Sequence, residues 1–345
     1  MKIPINIPFV GREEISVVTS ILKNGSLTSS ANQGGKYVQD FEKSVSKFVN
    51  SKYTIAVNSG TAALQAALYA LDIKHGDEVL IPSFTFVATA NSVYSTGAKP
   101  VFVDILKENF TMDPNDLQKK ITKNTKAIVP VHLYGNVAYL DKISEIAKKF
   151  NIPIIEDSAQ SLGSTFKKKH TGTFFEMGCF SMYPAKVMTA GEGGFIVTNN
   201  KKFRDKLLMI RNHGMVKGYD TRVLGLNLRL PEINAAIATV QMKKLPKEKL
   251  LTITADNGKE FYDFVRVESE LNTPVYFANP YASYERWTNE QTNGMIRRFY
   301  PKWTDFSQIT TEELQETIRI INRKPRKSLN YLCAYEAFYW VKLNL

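Results

Sequence analysis

The chain has 345 residues, a hydrophobic content of 43% and a net charge of +12. This length exceeds that of most single domains, so we expect one large domain followed by a smaller part. The start of the chain lacks the apolar core of a signal peptide, and no run approaches the roughly 20 apolar residues of a membrane span. Two cysteines, Cys179 and Cys333, are too few for a disulfide framework and lack zinc-ligand spacing. We therefore expect a cytoplasmic protein with reduced thiols.

The positive charge is compatible with nucleic acid or with an anionic substrate as a partner. The basic residues are spread over both halves of the chain and alternate with acidic ones. Their densest cluster, residues 323–327, is short. Charge alone therefore does not favour nucleic-acid binding.

From about residue 36 to residue 240, helical and strand-like patterns alternate along the chain. The helical segments are KYVQDFEKSVSKFV, SGTAALQAALYAL and AYLDKISEIAKKF. The strand-like segments are YTIAVN, DEVLIP, KPVFVDI, TKAIVPVHL and IPIIEDS. This alternation predicts an α/β fold with a mostly parallel sheet covered by helices on both faces. Ligands of such sheets bind beyond the carboxyl ends of the strands, so we expect the chemistry there.

The segment NSGTAAL (58–64) is the first candidate at a strand end. Gly60 and Thr61 lie where a strand turns into a helix, and the free N–H groups of a helix start suit a phosphate. An ordinary helix cap is the alternative. In PSFTFVAT, Phe84 and Phe86 follow the next strand. Each could stack on a flat ring or belong to the core.

Acids and a lysine complete the set of strand ends. IPIIEDSAQSLG brings Asp157 and Gln160 just beyond a strand. Asp157 could hold a ring nitrogen protonated, or it could cap a helix. CFSMYPAKVMTAGEGG carries Ser181 and Lys186 between two apolar runs, where a water-poor cleft would let the lysine lose its proton. Together these groups describe a flat, phosphorylated, nitrogen-containing aldehyde, which is pyridoxal 5′-phosphate.

Six motifs in order resemble the DegT/DnrJ-type sugar aminotransferases over about residues 3–245. They are NSGTAAL, PSFTFVAT, HLYGN, IIEDSAQSLG, FSMYPAKVMTAGEGG and GLNLRLPEINAAIA. The resemblance implies the large domain of a type I pyridoxal phosphate-dependent transferase, working as a homodimer. It also implies transfer of an amino group from glutamate to a keto sugar of a nucleotide-sugar, in surface polysaccharide or amino-sugar biosynthesis.

The resemblance also implies a role for each matching residue. Lys186 corresponds to the lysine that binds the cofactor aldehyde and shuttles the proton, and Asp157 to the partner of the pyridine nitrogen. The remaining cofactor contacts are Gln160 at the ring hydroxyl, Phe86 on the ring face, Gly60, Thr61 and Ser181 at the phosphate, and Asn227 at the phosphate of the neighbouring subunit. Relatives with histidine in place of the lysine dehydrate sugars, so Lys186 favours transamination.

Two histidines lie in segments that resemble the family. They are His132, in HLYGN, and His213. For both, a hydrogen-bonded structural role is favoured over a catalytic one.

After about residue 245 the chain resembles a different family. TITADNGKEF and the segments that follow it are similar to the carboxyl-terminal part of a DDE-type insertion-sequence transposase, an RNase H-like integrase core. Asp256 and Glu290, with 33 residues between them, match the second and third metal-binding carboxylates of that family. We therefore expect an aminotransferase large domain at 1–245 without its small domain, and a partial integrase core at 246–345.

This arrangement leaves three functional hypotheses. The first is an aminotransferase, which the loss of its substrate-covering domain could leave inactive. The second is a DNA-integration remnant that contacts nucleic acid through the last hundred residues. The third is a non-functional fusion of the two.

Overall fold

The computed structural model describes residue 8 and residues 10–245, and beyond them residues 253–255, 275–277, 299–300, 309–310, 313, 316–317 and 319–320. The chain divides into two compact units, Met1–Lys243 and Lys244–Leu345. The assignment of the two parts to an aminotransferase large domain and a partial integrase core stays a prediction.

The first unit alternates helices and strands, as its sequence predicts. Its helices are α1 (Arg12–Asn24), α2 (Lys36–Val49), α3 (Gly60–Ala70), α4 (Val87–Tyr94), α5 (Pro114–Lys120), α6 (Leu140–Phe150), α7 (Lys201–Arg211) and α8 (Glu232–Lys244), with a short 3₁₀ turn at Leu133–Gly135. Its strands are β1 (Tyr53–Val57), β2 (Glu78–Pro82), β3 (Lys99–Val103), β4 (Thr125–Ile128), β5 (Ile155–Asp157), β6 (Thr165–Phe166), β7 (Lys169–His170), β8 (Met177–Ser181), β9 (Gly194–Thr198), β10 (Met215–Lys217) and β11 (Asp220–Thr221).

Seven of these strands form one sheet. Hydrogen bonds connect β3, β2 and β4 in parallel, and a second group has the order β1-β9-β8-β5. Parallel bridges Ile128–Ile154 and Val131–Asp157 join β4 to β5, so the full order is β3-β2-β4-β5-β8-β9-β1. Strand β9 is antiparallel to both of its neighbours, and the other six strands share one direction. The predicted α/β class is therefore confirmed.

Strand β2 shows why an uninterrupted apolar run suits this sheet. Val79 and Ile81 point to one face, where they join the buried side chains of α3 and α7. Leu80 points to the other face and packs with buried residues of α5 and α6. Because helices cover both faces, the strand has no solvent side and needs no polar alternation.

Polar side chains hold the helix starts. The Ser59 hydroxyl accepts a hydrogen bond from the Ala62 N–H at 3.0 Å, which starts α3 directly after β1. The Glu232 carboxylate, contributed by α8, accepts from the N–H groups of Gly35 (3.1 Å) and Tyr37 (2.8 Å) and so caps α2. The start of α2 is thus anchored to α8.

Arg211 is the largest fully buried polar side chain of the described residues. Its guanidinium lies 2.6 Å from the Glu42 carboxylate and donates to the Ala56 carbonyl at 3.0 Å and to the Asn32 carbonyl. Burial raises the pKa of Glu42 even beside this cation. The pair ties α2, β1 and α7 together.

The second unit contains a pair of described strands. β12 (Ile253–Ala255) and β13 (Val275–Phe277) pair in parallel, with Thr254 opposite Tyr276. Across the part of the chain that the structure describes, no helix combines the length and apolar composition needed to cross a membrane.

We expect Arg211→Ala to lower the free energy of unfolding by about 3–5 kcal/mol, because it leaves the Glu42 carboxylate buried without its cation. Urea denaturation measures this loss. The control is Arg222→Ala, which breaks the exposed Arg222–Asp220 pair and should cost less than about 1 kcal/mol. Equal losses in the two variants would contradict a structural role for the buried pair.

Candidate active site

The predicted site residues gather at one edge of the sheet, where the parallel strands end. β5 ends at Asp157 and β8 at Ser181. Because β9 runs in the opposite direction, its first residue, Gly194, lies opposite Ser181 at the same edge. Strand β1 ends beside them and leads into α3. The ends of β1, β5 and β8 and the start of β9 thus lie side by side at this edge.

The start of α3 forms a cradle with the end of β8. A methyl group added to Gly60 would lie 2.7 Å from Cβ of Ser181, and one added to Gly194 would lie 2.4 Å from the Ser59 carbonyl oxygen. Glycine is therefore required for this close approach. The N–H groups of Gly60 and Thr61 have no hydrogen-bond partner among the described residues, which suits an anion at this helix start.

Asp157 is a buried acid, with an exposed fraction of 4%. Its Oδ2 accepts a hydrogen bond from the Thr89 hydroxyl at 2.9 Å, and its Oδ1 accepts from the Ala159 N–H at 3.2 Å. Burial raises the pKa of Asp157, although these two bonds and the charge of Lys186 oppose the rise. A carboxylate in such a setting favours a cationic partner.

Lys186 lies in the loop between β8 and β9 and is half-buried. Burial lowers the pKa of its amine, and the nearby Asp157 carboxylate opposes that effect. The two groups are therefore within electrostatic range of each other, and part of the lysine population is neutral at a lower pH than usual.

Hydrogen bonds fix the loop that carries Lys186. The Met182 N–H donates to the Gly193 carbonyl at 2.8 Å, and the Ala190 N–H to the Met182 carbonyl at 3.0 Å. From α8, Asn234 donates through Nδ2 to the carbonyls of Ala190 (2.8 Å) and Glu192 (3.1 Å). No local sequence pattern links Asn234 to the lysine loop, so the sequence does not predict this contact.

Gln160 is oriented by the backbone. Its Oε1 accepts a hydrogen bond from the Tyr134 N–H at 2.9 Å, within the HLYGN segment. The oxygen is thus occupied, and the amide NH₂ remains available as a donor. This orientation suits contact with a ring hydroxyl.

Phe86 and Asn227 are exposed at the same edge. Phe86 is the N-cap residue of α4 and has an exposed fraction of 66%. The ring centroid of Phe84 lies 6.0 Å from that of Phe110. Asn227 accepts a hydrogen bond from Asn58 Nδ2 through its carbonyl, which places it beside the end of β1. Their predicted contacts, with a ring face and with a neighbouring subunit, stay predictions.

Glu156 is the acceptor of a buried hydrogen-bond network, a role that no sequence pattern predicts. Its fully buried carboxylate accepts hydrogen bonds from His132 Nε2 at 3.0 Å and from the N–H groups of Gly172, Phe174 and Phe175 at 2.6–3.2 Å. The other ring nitrogen of His132 accepts from the Ala138 N–H, so Nε2 carries the proton that Glu156 accepts.

The two histidines thus differ in their surroundings. The ring of His132 is fully buried and both of its nitrogens are hydrogen-bonded, which supports the favoured structural role. His213 is exposed, and its backbone N–H donates to the Leu226 carbonyl.

The predicted carboxylate pair of the tail, Asp256 and Glu290, lies outside the described residues, as does Cys333. Within the described ranges, no three histidine, cysteine, aspartate or glutamate side chains gather as metal ligands would. Cys179, in β8, is buried and its thiol is free, and burial raises its pKa.

Comparison with known proteins gives the same picture of the first unit. The sequence model of the DegT/DnrJ/EryC1/StrS aminotransferase family matches residues 8–293. GDP-perosamine synthase of Escherichia coli O157:H7 is 38% identical over 244 residues, which cover 70% of this chain and 66% of the relative. The spore coat polysaccharide biosynthesis protein SpsC of Bacillus subtilis is 36% identical over 255 residues, covering 70% of this chain and 64% of the relative.

A solved structure agrees. E. coli GDP-4-keto-6-deoxy-D-mannose-3-dehydratase with bound hydrated PLP has 31% identity and a TM-score of 0.66, covering 71% of this chain and 68% of that chain. The chain thus spans slightly less than two thirds of the length of these two curated relatives. The family match continues past the predicted boundary at residue 245, and these matches do not support the transposase resemblance of the tail.

The lowered pKa predicts unusual reactivity for Lys186. We expect its amine to react with acetic anhydride at a lower pH than that of the exposed Lys36, because only the neutral amine is nucleophilic. Competitive labelling followed by peptide mass spectrometry measures both residues in one sample. Labelling of both lysines in parallel across the pH range would contradict a water-poor setting.

We expect Glu156→Ala to lower the free energy of unfolding by about 3–5 kcal/mol, because it leaves several buried donors without an acceptor. Urea denaturation measures the change. Glu108→Ala, at an exposed position, is the matched control and should stay within about 0.5 kcal/mol of the parent. A loss as small as that of the control would contradict the role assigned to Glu156.

Proposed function

Because the chain belongs to the DegT/DnrJ/EryC1/StrS aminotransferase family, we propose that it binds pyridoxal 5′-phosphate and transfers an amino group from an amino acid, glutamate, to a keto sugar of a nucleotide-sugar. The observation that carries the proposal is that Asp157 and Lys186 lie within electrostatic range of each other at the strand ends. An acid whose pKa is raised and an amine whose pKa is lowered lie within range of each other at the sheet edge. Opposed shifts of this kind are typical of catalytic sites.

The residues present fit the cofactor. The glycine cradle leaves two free N–H groups at the start of α3, beside Ser181, and these suit its phosphate. The buried Asp157 carboxylate suits a protonated ring nitrogen, and the amide NH₂ of Gln160 suits the ring hydroxyl. Phe86 offers an exposed ring for stacking. When bound, pyridoxal phosphate supplies a positively charged ring that withdraws electrons from the reacting carbon.

The side chains of this chain divide the remaining work. Asp157, when ionised, would accept the ring N–H and keep that nitrogen charged. The neutral amine of Lys186 would take a proton from a carbon of the bound substrate onto Nζ and return it to a neighbouring carbon, since its lowered pKa brings it nearer to neutral pH. The network around Glu156 and His132 holds the loops on which these groups depend.

A nucleotide-linked keto sugar is the proposed acceptor, and the names of two relatives support this proposal. One is a GDP-perosamine synthase, and another belongs to spore coat polysaccharide biosynthesis. Dehydration is the alternative, since a solved dehydratase shares the fold. Lys186 favours transamination. A homodimer in which Asn227 reaches the neighbouring phosphate, and a cytoplasmic location, belong to the same proposal.

The second candidate function, DNA integration by residues 246–345, stays a prediction, as does a non-functional fusion. The carboxylates predicted for DNA integration, Asp256 and Glu290, lie outside the described residues. The family match to residue 293 overlaps the first part of this segment. The aminotransferase proposal is therefore the one that the described residues support.

After pyridoxal 5′-phosphate is added and the free cofactor is removed by desalting, we expect the protein to keep a visible absorption band and Lys186→Ala to lose it, because this amine would form the covalent link. Lys202→Ala, an exposed substitution in α7, is the control and should keep the band. Adding glutamate should bleach the band and release 2-oxoglutarate. A band that persists unchanged in Lys186→Ala would contradict the site, and a band without 2-oxoglutarate would contradict the transfer reaction.

A further inference from the structure

Two threonines connect the candidate acid to the aromatic segment. Thr89 lies in the first turn of α4 and has an exposed fraction of 2%. Its Oγ1 is 2.9 Å from Asp157 Oδ2 and 2.9 Å from Oγ1 of Thr85. Thr85 lies between Phe84 and Phe86. The described residues thus contain a short hydrogen-bonded chain that leads from the proposed stacking segment to the carboxylate.

The direction of this chain follows from the donor inventory. An ionised carboxylate only accepts hydrogen bonds, so Thr89 donates its single hydroxyl proton to Asp157. The contact with Thr85 must then have Thr85 as the donor. Asp157 receives one hydroxyl donor on Oδ2 and one backbone N–H on Oδ1, which leaves lone pairs for a further donor.

The remaining groups around Asp157 come from several elements. Lys186, in the loop after β8, favours the charged form of Asp157, and the ring of His132, in the segment after β4, lies within electrostatic range of it. Glu156 precedes it in β5, and the Cys179 thiol of β8 lies opposite it in the strand register. Burial disfavours the charge, and Thr89 supplies the one side-chain hydrogen bond to the carboxylate among the described residues.

We propose that Thr89 is a positioning residue that keeps Asp157 ionised and oriented for the cofactor ring nitrogen, and that Thr85 acts through Thr89 to anchor the Phe86 segment to the same acid. The inference rests on the proposed function, because it concerns the same cofactor site. It adds two residues to which the sequence motifs assign no role.

The first test measures pyridoxal phosphate binding against pH. Binding requires the ionised acid, so affinity falls as pH drops through the pKa of Asp157. Thr89→Val removes the hydroxyl at nearly constant volume. In this variant the acid limb of the curve of affinity against pH should move up by about one pH unit, since a hydrogen bond to a charged group is lost. On the acid side of the pKa of Asp157 the dissociation constant should rise about tenfold.

Matched variants give this test its specificity. Thr89→Ser restores the donor and should return the limb to its parent position. Thr111→Val removes an equally buried hydroxyl that donates to Asn109, and should leave the limb unchanged. The double variant Thr85→Val/Thr89→Val should move the limb no further than Thr89→Val alone. An unmoved limb in Thr89→Val, or additive shifts in the double variant, would overturn the proposal.

A second test needs no cofactor. The pKa of Asp157 is raised in the folded chain, so its contribution to stability is present at low pH and is lost as pH rises towards the folded pKa. In Thr89→Val that loss should continue to higher pH. The deficit relative to the parent should therefore grow as pH rises through the folded pKa of Asp157, by about tenfold in the folding equilibrium.

For Thr111→Val the deficit should be the same at every pH, and a constant deficit in Thr89→Val would overturn the proposal. The two tests separate the inference from the proposed function. A parent protein that binds no pyridoxal phosphate contradicts the function, and the stability measurement still decides the role of Thr89.

Discussion

Two consecutive carboxylates are buried at the end of β5, and the site depends on how each is compensated. Strand geometry sends the side chains of Glu156 and Asp157 to opposite faces of the sheet. Glu156 meets four donors and its hydrogen-bonding capacity is satisfied. Asp157 meets two, so its charged form remains costly and a cationic ligand can compensate it. Glu156 therefore holds the surrounding loops in place, and Asp157 keeps hydrogen-bonding capacity for a ligand.

The sequence predicts this division only in part. The apolar runs and the glycine-bearing turns locate the strand ends, because period and turn chemistry are local properties. Lys186 and Asp157 follow from that placement, and the motifs add the roles that a resemblance implies. Glu156, by contrast, looks like any acid after a strand. Its partners come from positions 132 and 172–175, and no local pattern connects them.

Thr89 and Asn234 show the same limit from the helical side. Each occupies an unremarked position in a helix, and each acts across space on a residue far away in sequence. The interpretation of the tail stays a prediction for a different reason. Its interpretation rested on short segments and on the spacing of two acids, while the family match continues through its first part. Similarity of short segments is weaker evidence than the ordered motifs of the first unit.

The reversed strand β9 has a consequence for how such a fold can change its chemistry. A parallel neighbour of β8 would need a helical crossover, and its first residue would lie at the far edge of the sheet. With β9 reversed, residues 182–193 form a short return held at its base by Met182, Gly193 and Asn234. Lys186 thus lies on this short return and not in a helix or strand of the fold. Under the proposed function, exchanging Lys186 on that return would alter the reaction and leave every layer of the scaffold in place.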